Sequence, residues 1–231
     1  MKVLRSKSGP FVERPYFKDG EIEATCETEL IQAKLYPSSP EPIRIDRFIE
    51  KRFGITPTYE DLGTDVLGLT RFNARGVGEI VVADALDSES SVTAERRIRT
   101  TLAHEAGHAL LHTYLFVLAP RTPLFGDTSE PDKPKVLCRE GADGGQIRYK
   151  GHWWEYQANC AIGGLLLPTR LALSALEQFL ITAGSLGLPT FDRSRFDEAV
   201  RKLAETFNVN PVVARIRIDQ LCPERLGQML L

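Results

Sequence analysis

The sequence predicts an α+β fold: mostly helix, with a small antiparallel sheet and a C-terminal helix-turn-helix-like appendage. Three observations predict it. Apolar residues recur at helical spacing through much of the chain. Two β-prone runs within "DVLGLTRFNARGVGEIVVADAL" are joined by the turn-forming segment Asn73 to Gly78. Two helical patterns close the sequence on either side of "NVN".

Length and composition bound the answer. The 231 residues, with 42% apolar content, suit one well-cored domain or a domain with a small appendage. The formal net charge is -2, from 29 Lys+Arg against 31 Asp+Glu, so no overall basic surplus points to nucleic acid or acidic membranes. The longest apolar run, Ala109 to Ala119, is broken by His112 and Thr113 and stops at Pro120. That is well short of the roughly 20 residues a membrane helix needs. The N-terminal segment has basic residues but no apolar region after them. Cys26, Cys138, Cys160 and Cys222 are scattered, with no CxxC pair. The expectation is a cytoplasmic protein with reduced thiols, no membrane association and no cysteine-based zinc site.

Taken in order, residues 1–63 form a helical lead-in. Its amphipathic patterns "EATCETELIQAKLYP" and "IRIDRFIEKRFG" are separated by "YPSSPEP". Residues 64–190 form the core unit, opening with the β-hairpin. After it, Thr93 is placed to cap a helix that runs on through Ile98, Leu102, Ala106 and Leu110 to Pro120. Residues 119–152 hold four prolines and five glycines without periodicity, a length of loop that suggests a lid. "WWEYQANCAIGGLLLP" reads as a helix stopped by Pro168, with Gly163 and Gly164 admitting another backbone, and a further helix follows from Thr169 to about Ala183. Residues 191–231 carry the two closing helical patterns, with Pro211 as the first residue of the second.

The chemistry concentrates in "HEAGHALLH", residues 104–112, which holds three of the chain's four histidines. Positions i and i+4 share a helix face, so His104 and His108 can turn imidazole nitrogens toward one ion, as the HExxH motif requires. Glu105 does not ligate. In a zinc hydrolase such a glutamate takes a proton from the attacking water and hands it to the leaving amine. On spacing alone, a helix that merely packs two histidines and a glutamate remains an equal reading. His112 lies roughly 12 Å along the axis from His104, too far to share the ion, and reads as supporting or packing that site. A carboxylate from another helix suits a His2Glu site, and Glu155 fits. Asn159, one turn on, can hydrogen-bond the outer nitrogen of a ligating histidine. His152 stands three residues before Glu155.

"HEAGHALLH", followed after a loop by "WEYQANCAIGGLLLP", closely resembles the ImmA/IrrE family of metallopeptidases. "GEIVVADAL" before the motif and "LAETFNVNPVVARIRIDQL" after it are also similar to that family. The resemblance implies a zincin-like, gluzincin-type domain in which His104, His108 and Glu155 bind the metal and Glu105 is the catalytic base. The ion is Zn2+, with Mn2+ or Fe2+ also compatible. It further implies a helix-turn-helix transcriptional repressor as the protein substrate. The chain departs from the family in the long loop before Glu155, which carries Cys138, a thiol that reads as buried or solvated in preference to one that approaches the metal.

Residues Gly78 to Ala83 could hold an extended peptide as an exposed strand edge, or be an ordinary half-buried strand. Tyr114, Tyr156 and His152 are equal candidates for oxyanion help. Residues 191–219 hold six basic side chains against five acidic ones, a weak surplus for DNA that favours packing or partner docking. The expected function is thus a zinc-dependent endopeptidase acting on a protein regulator. The rival is a non-enzymatic regulator whose structural metal site accompanies a surface for a partner protein or DNA. A third reading, the toxin half of a toxin-antitoxin pair, shares the first one's chemistry.

Overall fold

The computed structural model describes residues 2–5, 13–64, 66–73, 75–117, 135–139, 153–183 and 188–223. In chain order the elements are β1 (Lys2–Arg5), β2 (Glu13–Tyr16), α1 (Asp19–Gln32), α2 (Ile45–Phe53), β3 (Thr58–Glu60), β4 (Val66–Asn73) and β5 (Gly76–Ala83). There follow α3 (Asp84–Ser88), α4 (Val92–Val117), β6 (Lys135–Arg139), α5 (Trp153–Leu166), α6 (Thr169–Leu176), β7 (Leu180–Ala183), β8 (Leu188–Phe191), α7 (Phe196–Phe207) and α8 (Pro211–Leu221). This is an α+β architecture. Among the described residues no single helix is long and apolar enough to cross a membrane.

The main sheet has the order β3-β5-β4-β6 and is mixed, where a wholly antiparallel sheet was expected. The chain reverses between β3 and β4 and again between β4 and β5, so β3 and β5 run the same way and pair in parallel. β6 lies within the loop expected to lack regular structure and pairs antiparallel with β4. The remainder of residues 119–152, including the expected lid and His152, lies outside the described residues. The Val81–Ala83 half of the expected edge is taken: these residues of β5 pair with β3 on one side, and Val81 and Val82 pair with β4 on the other, so an added strand is blocked there.

α4 is the axis of the molecule. Ser91 accepts the Ala94 backbone N–H at 3.0 Å and caps its start, in place of the expected Thr93. Every residue from Thr101 to Ala109 is buried, which explains why this stretch has no polar face. One side of α4 packs on β4 and β5 and another on α5. The buried residues of the core run from Ile22 in α1 to Ile218 in α8, so all three stretches of the chain contribute to one apolar cluster.

α5 ends before Pro168 as expected, and Gly164 lets α1 lie close: a Cβ there would stand 2.8 Å from Cys26 Cβ. The helix expected from Thr169 to about Ala183 stops at Leu176, and Leu180–Ala183 forms β7. Ile181 and Thr182 are β-branched, and their pairing with Thr190 and Pro189 of β8 overrides the helical period.

The C-terminal helices are tied to this body by a buried cation. Arg217 of α8 is 5% exposed. Its Nε donates to the Leu167 carbonyl at 2.9 Å, and its guanidinium pairs with Glu23 of α1. Glu23 in turn accepts the Thr169 backbone N–H at 3.0 Å, closing the start of α6.

Gly107, inside the HExxH segment, sets the approach of α4 to α5. A Cβ there would lie 2.8 Å from Ala161 Cβ and 3.1 Å from Ala158 Cα. Gly107→Ala gains at most about 1 kcal/mol of helix propensity, whereas forcing apart two packed backbones costs about 1–3 kcal/mol. The expected outcome is net destabilisation, read as a lower urea midpoint. A midpoint at or above wild type contradicts the close-packing argument.

Candidate metal centre

The site is built where α4 and α5 cross. His104 and His108, one turn apart on α4, bring their Nε2 atoms to 3.0 Å from each other. Glu155, in the first turn of α5, places Oε2 at 3.1 Å from His104 Nε2 and Oε1 at 3.6 Å from His108 Nε2. These three residues form a group that could hold a metal ion, with one ligand atom from each lying within 4.8 Å of the others. The set is two nitrogens and a carboxylate oxygen, which suits a divalent transition ion with a coordination position left for water or substrate.

The outer contacts fit the same chemistry. His104 Nδ1 lies 3.0 Å from Asn159 Oδ1. Oxygen atoms therefore face both ring nitrogens of His104, yet a neutral imidazole has one hydrogen to give. A cation held at Nε2 would resolve the conflict, since Nδ1–H could then donate to Asn159 and the Nε2 lone pair would be left for the ion. The same arrangement fixes which way the ring faces.

Glu105 is fully buried and turns toward the sheet. The Thr70 hydroxyl on β4 donates to its Oε2 at 2.8 Å. Thr70 escaped the sequence reading because no spacing rule links a strand residue to a helix residue 35 positions away. His112 does not join the ligand atoms. Its Nδ1 lies 3.0 Å from His108 Nδ1, its Nε2 lies 3.0 Å from Gln157 Oε1, and the Trp153 ring packs edge-on at 5.6 Å. Gln157 was also missed. On an isolated helix it points about 200° away from both Glu155 and Asn159, so helical spacing argues against it.

The remaining candidates separate clearly. The Tyr156 hydroxyl donates to Asp19 at 2.9 Å. Burial, and then the hydrogen bond to Asp19, push its pKa well above the usual phenol range. The Tyr114 hydroxyl is buried. Cys138 sits on β6 with its Cα opposite Gly68, and its side chain lies outside the described residues. In the C-terminal region, Arg193 pairs with Asp219, Arg195 with Glu198, Arg215 with Asp197 and Arg217 with Glu23. Among the described residues that leaves Arg201 and Lys202 of the six basic side chains there, a thin surface for tracking phosphates.

Burial governs the protonation of the histidines. It pulls His108 down to about 4 and His112 down to about 3, with the neighbouring imidazoles adding to the effect. Both are neutral at pH 7 and able to act as ligand or acceptor. Burial pushes Glu155 the other way, toward a higher pKa. The hydrogen bonds from His104 and His108 outweigh it and hold the carboxyl well below its ordinary range.

Compared with protein-family models, curated proteins and solved structures, the chain matches none.

The buried histidines make the metal-free protein acid-sensitive. An unfolded imidazole takes up a proton below about 6.5, while the folded His108 and His112 resist protonation until about 4 and 3. Their contribution to stability is complete above pH 6.5 and is lost progressively as pH falls toward 4. The urea midpoint of chelator-treated protein is expected to drop between pH 7 and pH 5. An unchanged midpoint across that window contradicts the assignment of neutral, buried imidazoles.

Proposed function

We propose that this protein is a metal-dependent endopeptidase that uses zinc. The observation that carries the reading is the convergence of His104 Nε2, His108 Nε2 and the Glu155 carboxylate, with the buried Glu105 next to His104 in sequence. A divalent ion held by those three residues supplies Lewis acidity, which makes water a competent nucleophile near neutral pH. Mn2+ and Fe2+ are accepted by the same donor atoms.

The protein residues then have distinct tasks. His104, His108 and Glu155 hold the ion, and Asn159 fixes the His104 ring. Glu105 removes a proton from the water that adds to the scissile carbonyl. As the C–N bond breaks, Glu105 delivers that proton to the departing amine. Thr70 holds the Glu105 carboxylate by donating to one oxygen. A purely structural metal site needs ligands and their supports but has no use for a buried carboxylate beside them, which favours the enzymatic reading.

The likeness of "HEAGHALLH" and "WEYQANCAIGGLLLP" to the ImmA/IrrE metallopeptidases supports the same chemistry and suggests the substrate, a helix-turn-helix repressor. The pairing of Arg193, Arg195, Arg215 and Arg217 favours a C-terminal region that packs or docks protein over one that binds DNA. A role as the toxin of a two-component pair rests on the same hydrolysis.

Elemental mass spectrometry on the purified chain tests the site first. About one zinc per chain is expected, lost in His108→Ala and in Glu155→Gln. Glu105→Gln is expected to keep the metal and lose cleavage of a repressor or of an unstructured protein panel. Zinc bound at this site with no hydrolysis by the wild-type chain would sink the enzymatic reading and leave the regulator.

Thr70→Val separates positioning from ligation. It keeps the strand and the metal but removes a hydrogen bond to a charged group, worth about 1.5–3 kcal/mol. The expected result is unchanged zinc content, unchanged KM and a kcat lowered by roughly tenfold or more. A loss of zinc in this variant contradicts the assignment.

A further inference from the structure

His104 and His108 differ in what lies behind them. The outer nitrogen of His104 faces an amide oxygen, Asn159 Oδ1, which can only accept. The outer nitrogen of His108 faces another imidazole nitrogen, His112 Nδ1, at 3.0 Å. That partner accepts in one tautomer and donates in the other. If His112 carries its hydrogen on Nδ1, two N–H groups meet head on once His108 presents Nε2 to an ion. The ligand is correctly set only if His112 carries its hydrogen on Nε2.

The next contact makes that choice. His112 Nε2 lies 3.0 Å from Gln157 Oε1, with all three side chains buried. An oxygen there requires a hydrogen on Nε2, which leaves Nδ1 bare to accept from His108 Nδ1–H. The two hydrogen bonds then run in one sense, from His108 to His112 to Gln157, and the Nε2 lone pair of His108 is left for the ion.

Resting on the metal reading above, we propose that Gln157 is a positioning residue for the metal centre: its side-chain oxygen, two imidazoles away, sets the tautomer of His112 and through it that of His108. The relay brings an acceptor from α5 to a histidine that the carboxamide could not reach directly. Glu155, Gln157 and Asn159 thus serve the site from one turn of α5, as ligand, relay terminus and ring support. The trade is specific. The amide oxygen matters, and the length and bulk of the side chain alone do not suffice.

The experiment compares zinc affinity, by chelator competition on the full chain, for wild type, Gln157→Met and Gln157→Glu. Nitrogen-15 NMR of the histidine rings is recorded in the zinc-loaded wild type. Methionine keeps the length and removes the acceptor, and a weakening of about 10- to 100-fold is expected. Glutamate keeps an acceptor and cannot donate when ionised, so it is expected to bind zinc as wild type does. The NMR signature expected is hydrogen on Nδ1 of His108 and on Nε2 of His112. Hydrogen on Nδ1 of His112, or unchanged affinity in Gln157→Met, overturns the relay while leaving the metal site intact. Equal weakening in both variants also overturns it, because the acceptor is then not what matters. Absence of zinc binding by the wild-type chain removes the metal reading itself and the relay with it.

Discussion

The constraint on which the rest of the structure depends is the burial of the middle of α4, from Thr101 to Ala109, on every side. A helix enclosed by a sheet and other helices has no water to satisfy its polar side chains, and an unpaired buried polar group costs about 1–3 kcal/mol. Thr101, His104, Glu105 and His108 lie in that enclosed stretch, and His112 is buried just beyond it. Each of the four ionisable ones therefore needs a partner from the surrounding elements. Asn159 and Glu155 serve His104, Thr70 serves Glu105, and His112 with Gln157 serves His108. The site and the core are thus one construction, because the residues that satisfy the helix are those that orient its chemistry.

That construction needs α5 at close range and held there. Gly107 removes the side chain that would keep the helices apart, and Gly164 does the same between α5 and α1. Arg217 then bonds to the carbonyl of Leu167 just past the end of α5, while its ion pair reaches Glu23 on α1. A buried arginine is a poor source of net stability, since desolvation offsets much of the attraction. Its value here is geometric. It fixes α8, the α5–α6 junction and α1 relative to one another, so the C-terminal helices belong to the body that positions Glu155 and are not a tethered accessory.

How much of this was legible in the sequence depended on whether the partners are close in sequence. His104 and His108 share a helix face by spacing, and Glu155 and Asn159 share another, so each half of the candidate centre was legible as a pair, with the resemblance pointing to Glu155 as the third ligand. The two halves meet only through tertiary packing. Thr70 sits on a strand and Gln157 at an unfavourable helical angle, so no local rule pointed to either. The same limit explains the errors in the fold. Leu180–Ala183 continued an apolar pattern that suits a helix, and only its pairing with Leu188–Phe191 makes it a strand. The short β3 carries no alternation long enough to recognise, so the parallel pairing that takes Val81–Ala83 away from the sheet edge was invisible.

Charge balance constrains the ion that the proposed chemistry would use. Counted as carboxylates, Glu155 at the crossing of α4 and α5 and Glu105 on the sheet side of α4 carry two negative charges, while the buried imidazoles of His108 and His112 carry none. The histidine side chains of the centre are 4% and 0% exposed against 22% for Glu155, so solvent screens the charge mainly from the α5 side. At short range and limited screening, a unit charge imbalance is worth about 4 kcal/mol at 4 Å. A dication matches the pair and a monovalent ion does not. Under the proposed function, a proton taken by Glu105 from water leaves a negative charge on the oxygen, so the charge of the site as a whole does not change. Burial of Glu105 also limits exchange of that proton with solvent, so under the same proposal it is kept for the leaving amine.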